Sequence, residues 1–369
     1  MADRLKVAFM LGSLGRGGTE TLVLDTLSRH SDAPFDMLCI RRKDGPYLDA
    51  YSDTGVPMHK LAPNKGRLVA YLVRLRKLLL NESVNVVHAQ QMLDAVYAKL
   101  ALIGSGVKVC LTFHGYYYGR SRSETILARL SLAMAHRVFF VSAAQRDDYV
   151  RRFNLKCARK LAVVHNGIDF EKFTEPQLHS PHSPIRLLMV GSFLKIRNHI
   201  TVCKFAKLLR DAGVEFLLSF AGRKLDYELE TYNECRSFCE REGLMDNVRF
   251  LGDCSNVPGL LSESDVFVYD TNTDTFGIAV AEAMASGIPV LVGGVPVMRE
   301  ITENGKFASL FRHADEQSMF NEFMKIVSDY SSFAAAAFGS ATEVRSEYSI
   351  SRHIECLKLE YRKALKLCS

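Results

Sequence analysis

Residues 274–290, DTFGIAVAEAMASGIPV, decide how the second half of the chain is expected to fold. A turn at Phe276 and Gly277 precedes a helix-length apolar pattern, and a new apolar run begins soon after Gly287. Glycine is common just past the end of a helix, because it adopts backbone conformations that other residues avoid. The order of loop, helix, turn and strand is the unit from which a helix-covered parallel sheet is built.

The same alternation continues through the whole chain, on both sides of a proline-rich segment, EPQLHSPHSP (175–184), which we interpret as a linker. Buried strands that alternate with helices predict parallel sheets with helices on both faces. Each half of the chain therefore predicts one doubly wound α/β domain. The predicted strands lie at 5–11, 35–40, 84–89, 107–113, 137–142 and 160–166 in the first half, and at 185–191, 214–222, 247–252, 264–269 and 288–293 in the second.

Length and composition agree with two domains. The chain has 369 residues, 48% of them apolar and 24% charged, a balance that excludes disordered and fibrous proteins. We expect an N-terminal domain at 1–175, a C-terminal domain at 176–350, and a final helix at 351–369 that packs back on the N-terminal domain. Ligands of such sheets bind outside the carboxyl ends of the strands, so a site is expected in a cleft between the domains.

The net charge of +6 is unevenly distributed. Residues 1–175 hold 26 Lys and Arg against 16 Asp and Glu, a balance of +10, which leaves −4 for the rest. A basic half-chain suits nucleic acid, an anionic membrane or a phosphorylated substrate, and composition does not choose among them. Residues 65–80, KGRLVAYLVRLRKLLL, mix cations with leucines as an interfacial helix does. An ordinary helix that covers a sheet is the alternative.

The sequence predicts a cytoplasmic location. The apolar stretch near the N-terminus is too short for a secretory signal, and no run of about 18 apolar residues could span a bilayer. The nine cysteines follow no framework spacing, which suits a reducing compartment.

A glycine-rich segment, GSLGRGGTE (12–20), follows the first predicted strand. Glycines such as Gly17 and Gly18 let the backbone approach a ligand closely, and the N–H groups at the start of the next helix suit an anion or a sugar hydroxyl. The spacing does not fit the GxGxxG fingerprint of dinucleotide-binding proteins, so the sequence argues against an oxidoreductase. A plain tight turn is the alternative.

Two acids flank the turn before the helix of 274–290. Asp274 and Glu282 are eight residues apart, which is ~12 Å along a helix axis if the helix reaches back that far. Two acids at that separation can bind two parts of one elongated, hydroxyl-rich ligand. The N–H groups near Phe276 to Ile278 suit a phosphate between those parts.

Several motifs together resemble one known family, the retaining glycosyltransferases of the GT-B fold, and within it family 4 (glycosyl transferases group 1). Its bacterial members often build surface polysaccharides. The resemblance implies two Rossmann-like domains and covers roughly residues 5–310. Its motifs are GGTE at 17–20, FHG at 113–115, VSAAQ at 141–145, HNGID at 165–169, a VG strand end followed by a basic residue and Asn, and FGIAVAEAMASGIPV at 276–290.

The resemblance implies roles for the two acids. Glu282 matches the glutamate that holds the ribose hydroxyls of the nucleotide, a task that suits a carboxylate. Asp274 stands where the family has a glutamate that meets hydroxyls of the transferred sugar, and its side chain is one methylene shorter. Phe276, Gly277 and Ile278 would present backbone N–H groups to the donor phosphate or sugar.

The loop after the first strand of the second half, VGSFLKIRNH (190–199), differs from the family pattern of one arginine and one lysine that clamp the diphosphate. Ser192, next to Gly191, occupies the arginine position and Arg197 the lysine position, while Lys195 is close enough in sequence to substitute. A cation there stabilises the charge that develops on the leaving group. A solvated surface arginine is the alternative for Arg197.

In the first half, His114 matches the family histidine that touches the donor sugar, and Asn166 lies in a turn assigned to donor binding. Without the motif, His114 would be interpreted as a structural strand-end histidine and Asn166 as a turn residue. Lys99, Arg120 and Arg122 are candidates for the acceptor side. The predicted catalytic residues are thus His114, Arg197, Asp274 and Glu282.

The function implied is transfer of a hexose from a nucleotide sugar, UDP- or GDP-linked, to a glycan or lipid-diphosphate-linked acceptor, with retention of configuration. The nucleotide sugar is a substrate, so no cofactor is expected, and the chain has no Asp-x-Asp triplet or His/Cys ligand set for a metal. An anionic membrane surface at the inner face of the cytoplasmic membrane is a possible partner, and nucleic acid is not. The alternatives are a nucleotide-sugar epimerase of the same fold and a non-catalytic sugar-nucleotide-binding protein.

Overall fold

The computed structural model describes residues 5–117, 121–178 and 180–366. The chain divides into two compact units, one made of residues 1–168 and 349–369 and the other of residues 169–348. Both are helix-covered parallel sheets, so the α/β fold class expected from the sequence is confirmed.

Among the described residues of the first unit, seven parallel strands form one sheet. The strands are β1 (Lys6–Leu11), β2 (Asp36–Arg41), β3 (Met58–Lys60), β4 (Val86–Ala89), β5 (Lys108–Phe113), β6 (Arg137–Phe140) and β7 (Leu161–Val163), in the order β3-β2-β1-β4-β5-β6-β7. The helices are α1 (Gly18–Ser28), α2 (Leu48–Asp53), α3 (Leu68–Asn81), α4 (Met92–Ala101), α5 (Arg122–Met134), α6 (Ala143–Phe153) and α14 (Ile350–Lys366).

The core of this unit lies on both faces of the sheet, which explains why β4 and β6 are buried along their whole length. One face packs against α3, α4 and α5, and the other against α1 and α14. On the first face Tyr71, Leu75 and Leu79 of α3 are fully buried, at the four-residue spacing of one helix side.

The C-terminal helix α14 belongs to the first unit. The Tyr361 hydroxyl lies 2.7 Å from Nδ1 of His88, a fully buried histidine of β4, and Glu360 forms an ion pair with Arg137 of β6. The last helix of the chain therefore completes the core of the unit that the N-terminus begins. The structure divides the chain at 348/349, two residues before the expected boundary.

The other boundary lies at 168/169 instead of the expected 175/176, because the residues just after Asp169 pack on the second unit. Arg345 of that unit donates to Glu175 Oε1 at 3.0 Å and to the Thr174 carbonyl at 2.6 Å. Further along the expected linker, His182 Nδ1 lies 2.8 Å from Oδ1 of the buried Asp265. The expected linker is thus bonded to the second unit near both of its ends, although most of its described residues are exposed.

The second unit contains six parallel strands among its described residues. They are β8 (Ile185–Val190), β9 (Phe216–Ala221), β10 (Val248–Gly252), β11 (Val266–Tyr269), β12 (Val290–Gly293) and β13 (Ser309–Phe311), in the order β10-β9-β8-β11-β12-β13. The helices are α7 (His199–Asp211), α8 (Leu229–Arg241), α9 (Val257–Ser262), α10 (Ile278–Ala285), α11 (Pro296–Ile301), α12 (Glu316–Ser328) and α13 (Tyr330–Glu347).

Candidate functional site

The site of the second unit is built on two neighbouring strands, β8 and β11, at their carboxyl ends. The loops that follow these strands are joined by backbone bonds: Asn198 donates to the Asp270 carbonyl at 3.1 Å, and Asn272 donates to the Ile196 carbonyl at 2.8 Å. Residues 191–198 and 270–277 therefore form one connected edge of the sheet.

Arg197 turns inward within this edge. Its Nε donates to the Tyr269 hydroxyl at 3.0 Å, and its Nη1 donates to the Ser192 carbonyl at 3.2 Å. The guanidinium packs closely on Gly191, where a Cβ atom would lie only 2.8 Å from Nη1. The interpretation of Arg197 as a solvated surface residue is therefore wrong, because the guanidinium is held by protein groups on two sides.

The Tyr269 hydroxyl also bonds to Asp274. It donates to Asp274 Oδ2 at 2.9 Å, and the other oxygen, Oδ1, accepts from the Thr275 N–H at 2.7 Å. Two residues predicted from the sequence, Arg197 and Asp274, are thus brought together by a third that the sequence analysis missed. The sequence feature that marks Tyr269 is its position as the one hydroxyl-bearing residue at the end of an otherwise apolar strand, VFVY.

The charge states in this group follow from its packing. Burial tends to lower the pKa of Arg197, but the neighbouring Tyr269 and Asp274 outweigh it, so the pKa of the guanidinium is raised from its ordinary value. Burial raises the pKa of the Tyr269 hydroxyl well above its ordinary value. The arginine is therefore charged and the tyrosine protonated at every physiological pH.

The other residues of the first loop lie nearer to solvent. Ser192 is half-buried, and Lys195 is exposed, with its backbone N–H donating to Glu228 Oε2 at 2.7 Å. Lys195 therefore lies near an acid, Glu228, which the sequence did not indicate as part of this region.

The turn before α10 has the conformation that its glycine predicts. Gly277 is the N-cap of the helix with a φ of 89°, a region that other residues rarely adopt, and as a glycine it has no side chain to cap the first N–H groups. Phe276 is buried and packs edge to face on Tyr348, with ring centroids 5.5 Å apart. Ile278 begins the helix, and Glu282 follows in its second turn, half-buried.

A buried acid at this edge, Asp270, was also missed. Its carboxylate accepts from Asn198 Nδ2 at 3.1 Å and from the Ala314 N–H at 2.9 Å, and a Cβ atom at Gly293 would lie 2.2 Å from Oδ1. Burial raises its pKa, although these bonds act in the opposite direction. Asp270 thus fastens together the loops after three strands.

On the first unit, His114 follows β5 and contacts Gln90, which follows β4. The His114 Nε2 atom lies 2.7 Å from Gln90 Oε1, and an amide oxygen can only accept, so Nε2 carries the hydrogen. Burial lowers the pKa of His114 to about 3, with a further contribution from His353. The imidazole is therefore neutral at physiological pH. Gln90 was missed because nothing in the sequence sets it apart.

The remaining predicted residues of this unit are spread over several elements. Gly17 is the N-cap of α1, where a Cβ atom would meet Glu20 Oε2 at 2.5 Å, and Gly18 is the first residue of that helix. Asn166 is buried, and its Oδ1 has no hydrogen-bond partner among the described residues. Lys99 Nζ lies 2.9 Å from His136 Nε2, Arg122 begins α5, and Arg120 lies outside the described residues.

Within the described ranges, no cluster of three or more His, Cys, Asp or Glu side chains is placed to hold a metal ion. A search of the same residues finds no helix with the length and hydropathy needed to cross a membrane.

Two family models match adjoining parts of the chain. Residues 16–172 match the model described as Glycosyltransferase Family 4, and residues 170–342 match the model described as Glycosyl transferases group 1. The division between the two matches lies close to the boundary between the two compact units.

The chain is also similar to named glycosyltransferases and to a solved structure of the same fold. The chain is 21% identical over 353 residues to the UDP-Gal:alpha-D-GlcNAc-diphosphoundecaprenol alpha-1,3-galactosyltransferase of Escherichia coli, covering 89% of each chain. It is 26% identical over 311 residues to the GDP-mannose:cellobiosyl-diphosphopolyprenol alpha-mannosyltransferase of Xanthomonas campestris, covering 79% of this chain and 78% of that one. The crystal structure of Anabaena HepE in complex with UDP and glucose superposes with a TM-score of 0.81 at 16% identity, covering 96% of this chain and 99% of that one.

Proposed function

We propose that this chain, a glycosyltransferase of the GT-B fold, transfers a hexose from a UDP- or GDP-linked sugar to a hydroxyl of a glycan or lipid-diphosphate-linked acceptor. The observation that carries the proposal is the group formed by Arg197, Tyr269 and Asp274 at the ends of β8 and β11, beside the uncapped start of α10. The relatives from E. coli and Xanthomonas are named for diphosphopolyprenol-linked acceptors, which supports an acceptor of that class.

The proposed roles in the second unit follow from charge and reach. The contacts to Tyr269 and Ser192 use two of the five N–H donors of Arg197, and the others suit the donor diphosphate. The N–H groups at Gly277 and Ile278 would add to the field that favours an anion there. Asp274 is assigned to hydroxyls of the transferred sugar, and Glu282 to the ribose hydroxyls.

The proposed role of the first unit is to bind the acceptor. His114 is assigned instead to the donor sugar, which its neutral imidazole, fixed by Gln90, would meet without adding a charge. Gly17 and Gly18, through backbone N–H groups, and Asn166, through a buried Oδ1, are likewise assigned to donor binding.

The proposal includes retention of configuration and independence from metal. In the retaining reaction the acceptor hydroxyl attacks on the face from which the diphosphate departs, and the diphosphate helps to take up the proton. The charge that develops on the leaving group would be stabilised by Arg197 in place of a metal ion. The absence of an Asp-x-Asp triplet in the sequence supports this assignment.

The relatives named above are transferases, so the epimerase considered from the sequence is not favoured. A nucleotide-sugar-binding protein without activity differs from a transferase in turnover alone. The test is incubation with UDP- or GDP-hexoses and a short-chain diphosphopolyprenol-linked sugar acceptor, followed by mass spectrometry. We expect a product heavier by one hexose, with the donor's anomeric configuration by NMR. Binding without transfer across these donors and acceptors would overturn the proposal, and an inverted product would overturn retention.

The proposal places this reaction at an anionic membrane surface, through α3 of the first unit. Val69 and Val73 of α3 are 75% and 60% exposed, and Arg74 and Lys77 lie exposed on the same helix. The buried side of α3 covers the sheet as an ordinary helix would, so it is the opposite side that supports membrane contact.

Flotation with liposomes of rising phosphatidylglycerol content tests this placement. We expect binding at low salt that weakens as salt is added, because charge attraction is screened. Val69→Ser/Val73→Ser should reduce flotation, while Leu359→Ser, at an exposed position of α14, should not. Equal flotation of these variants, or no binding at low salt, would overturn the membrane placement and leave the transferase proposal intact.

A further inference from the structure

Two hydrogen bonds link Arg197 to Tyr269 and Tyr269 to Asp274, and the chemistry of these groups determines which atom donates in each. An arginine Nε–H can only donate, so the Tyr269 oxygen must accept from it. A tyrosine hydroxyl has one hydrogen, and the carboxylate of Asp274 can only accept when ionised. The single hydrogen of Tyr269 is therefore committed to Asp274.

The position of this hydroxyl is fixed by the fold. Tyr269 is the last residue of β11, has 1% of its surface exposed, and lies parallel to the ring of Phe267 with centroids 6.2 Å apart. The ring cannot move without disturbing the core of the sheet, so its hydroxyl is a fixed point between two charged side chains. Charged side chains on loops gain their precision from such neighbours.

Asp274 is oriented by two bonds at once. Oδ2 accepts from Tyr269, and Oδ1 accepts from the Thr275 N–H of the same turn. One bond would allow the carboxylate to rotate, whereas two bonds on different oxygens define its plane.

We propose that Tyr269 is a positioning residue, which holds the carboxylate of Asp274 and the guanidinium of Arg197 at a set separation for a donor sugar and its diphosphate. The inference rests on the proposed function. It assigns to Tyr269 a task that neither charged residue can perform for itself, because the two charges attract each other. Without the hydroxyl they would draw together, and Asp274 would leave the place from which it meets the sugar.

The test compares Tyr269→Phe with a matched control, Tyr330→Phe. Both variants lose one buried hydroxyl from the second unit, and that of Tyr330 donates to the Asp265 carbonyl at 3.2 Å, away from the assigned residues. We expect Tyr269→Phe to lower kcat about tenfold to a hundredfold, the range of one hydrogen bond to a charged group, while KM for the nucleotide sugar and Kd for the free nucleotide change less than threefold. Tyr330→Phe should lower thermal stability without changing kcat.

A second comparison shows whether Tyr269 acts through Asp274. In an Asp274→Ala background, which has no acceptor for the Tyr269 hydroxyl, Tyr269→Phe should cost less than threefold in kcat. Equal losses in both backgrounds, or a Tyr269→Phe enzyme with unchanged kcat, would overturn the positioning role.

The wild type and the Tyr269 variants together distinguish a folding defect from a loss of function. If Tyr269→Phe does not fold, Tyr269→Leu, which continues the apolar pattern of β11, replaces it with the same expected losses. A wild-type protein that transfers no hexose from any donor would overturn the proposed function and, with it, this inference. An active wild type with an equally active Tyr269 variant would overturn the inference alone.

Discussion

The carboxyl edges of the two sheets carry groups of opposite character. At the ends of β8 and β11, the guanidinium of Arg197 and the carboxyl group of Asp274 are joined by the Tyr269 hydroxyl. At the ends of β4 and β5, His114 and Gln90 form a neutral pair. The two sheets share one architecture, so topology determines where functional side chains stand and a few strand-end residues determine their charge. Fold alone therefore says little about which half carries the ionic part of the chemistry.

The largest expected effect comes from removing the cation of the second unit. Arg197→Met should lower kcat by about 10²- to 10³-fold, since the leaving diphosphate would lose a preorganised donor. Arg223→Met is the control, because Arg223 is exposed and its Nε lies 3.9 Å from Asp253. Initial-rate kinetics measure the loss, and thermal melts show that both variants fold. A loss of kcat below tenfold would contradict the proposal that the sheet of the second unit carries the ionic part of the chemistry at its carboxyl edge.

The two acids of the charged edge should separate in their effects. Glu282→Ala should weaken Kd for the free nucleotide by about tenfold or more, as expected for a hydrogen bond to a charged group, and titration calorimetry measures it. Asp274→Ala should leave that constant nearly unchanged while it lowers turnover, because its proposed contact is with the sugar. Equal effects on nucleotide binding would show that the two assignments are wrong.

Acid should affect the first unit more than the second. Burial lowers the pKa of His114 to about 3 and the pKa values of His136 and His353 to about 4, all in the first unit, and the pKa of His199 in the second unit to about 3. An unfolded imidazole titrates near 6.5. Between about pH 6.5 and 4 the unfolded chain binds protons that the folded chain does not, so this contribution to stability falls as the pH falls.

Hydrogen exchange of strand amides at pH 7 and pH 5, corrected for the intrinsic rate, measures this difference. We expect the opening free energy of β4 and β5 to fall by more than that of β8 and β11. A greater loss in the second unit would contradict the prediction.

The smallest effect should come from chelation. Titration of the preferred nucleotide in excess EDTA should give a Kd within about twofold of that in magnesium, because the proposed clamp is the guanidinium of Arg197. A loss of affinity of tenfold or more in EDTA would refute metal independence. It would show that a metal ion, instead of Arg197, supplies the positive charge opposite the diphosphate.

Local sequence patterns predicted the framework of both units. The helix expected within 274–290, after the turn at Phe276 and Gly277, is found at Ile278–Ala285, with Gly287 at a positive φ of 75° just beyond it. The strands β3 and β13 were missed, since each has three residues and is mostly half-exposed, without the apolar run that marks a buried strand.

The candidate site was less accessible to sequence reasoning. Arg197 was predicted at the right strand end, but its inward turn depends on Tyr269, 72 positions away, and a tyrosine at the end of an apolar strand resembles any core residue. Gln90 was missed for the same reason, because only the pairing of β4 with β5 places it beside His114. The roles assigned to these residues remain predictions.

The return of the chain to its first unit has a consequence for synthesis on the ribosome. Residues 169–348 are contiguous and can fold as soon as they have emerged, whereas the first unit lacks α14 until residues 350–366 are made. Until then His88 is without Tyr361, and Arg137 is without Glu360. We therefore expect the half that is translated second to be the first to reach its native state. The earlier half would wait through translation with part of its apolar face uncovered, a state that chaperones recognise.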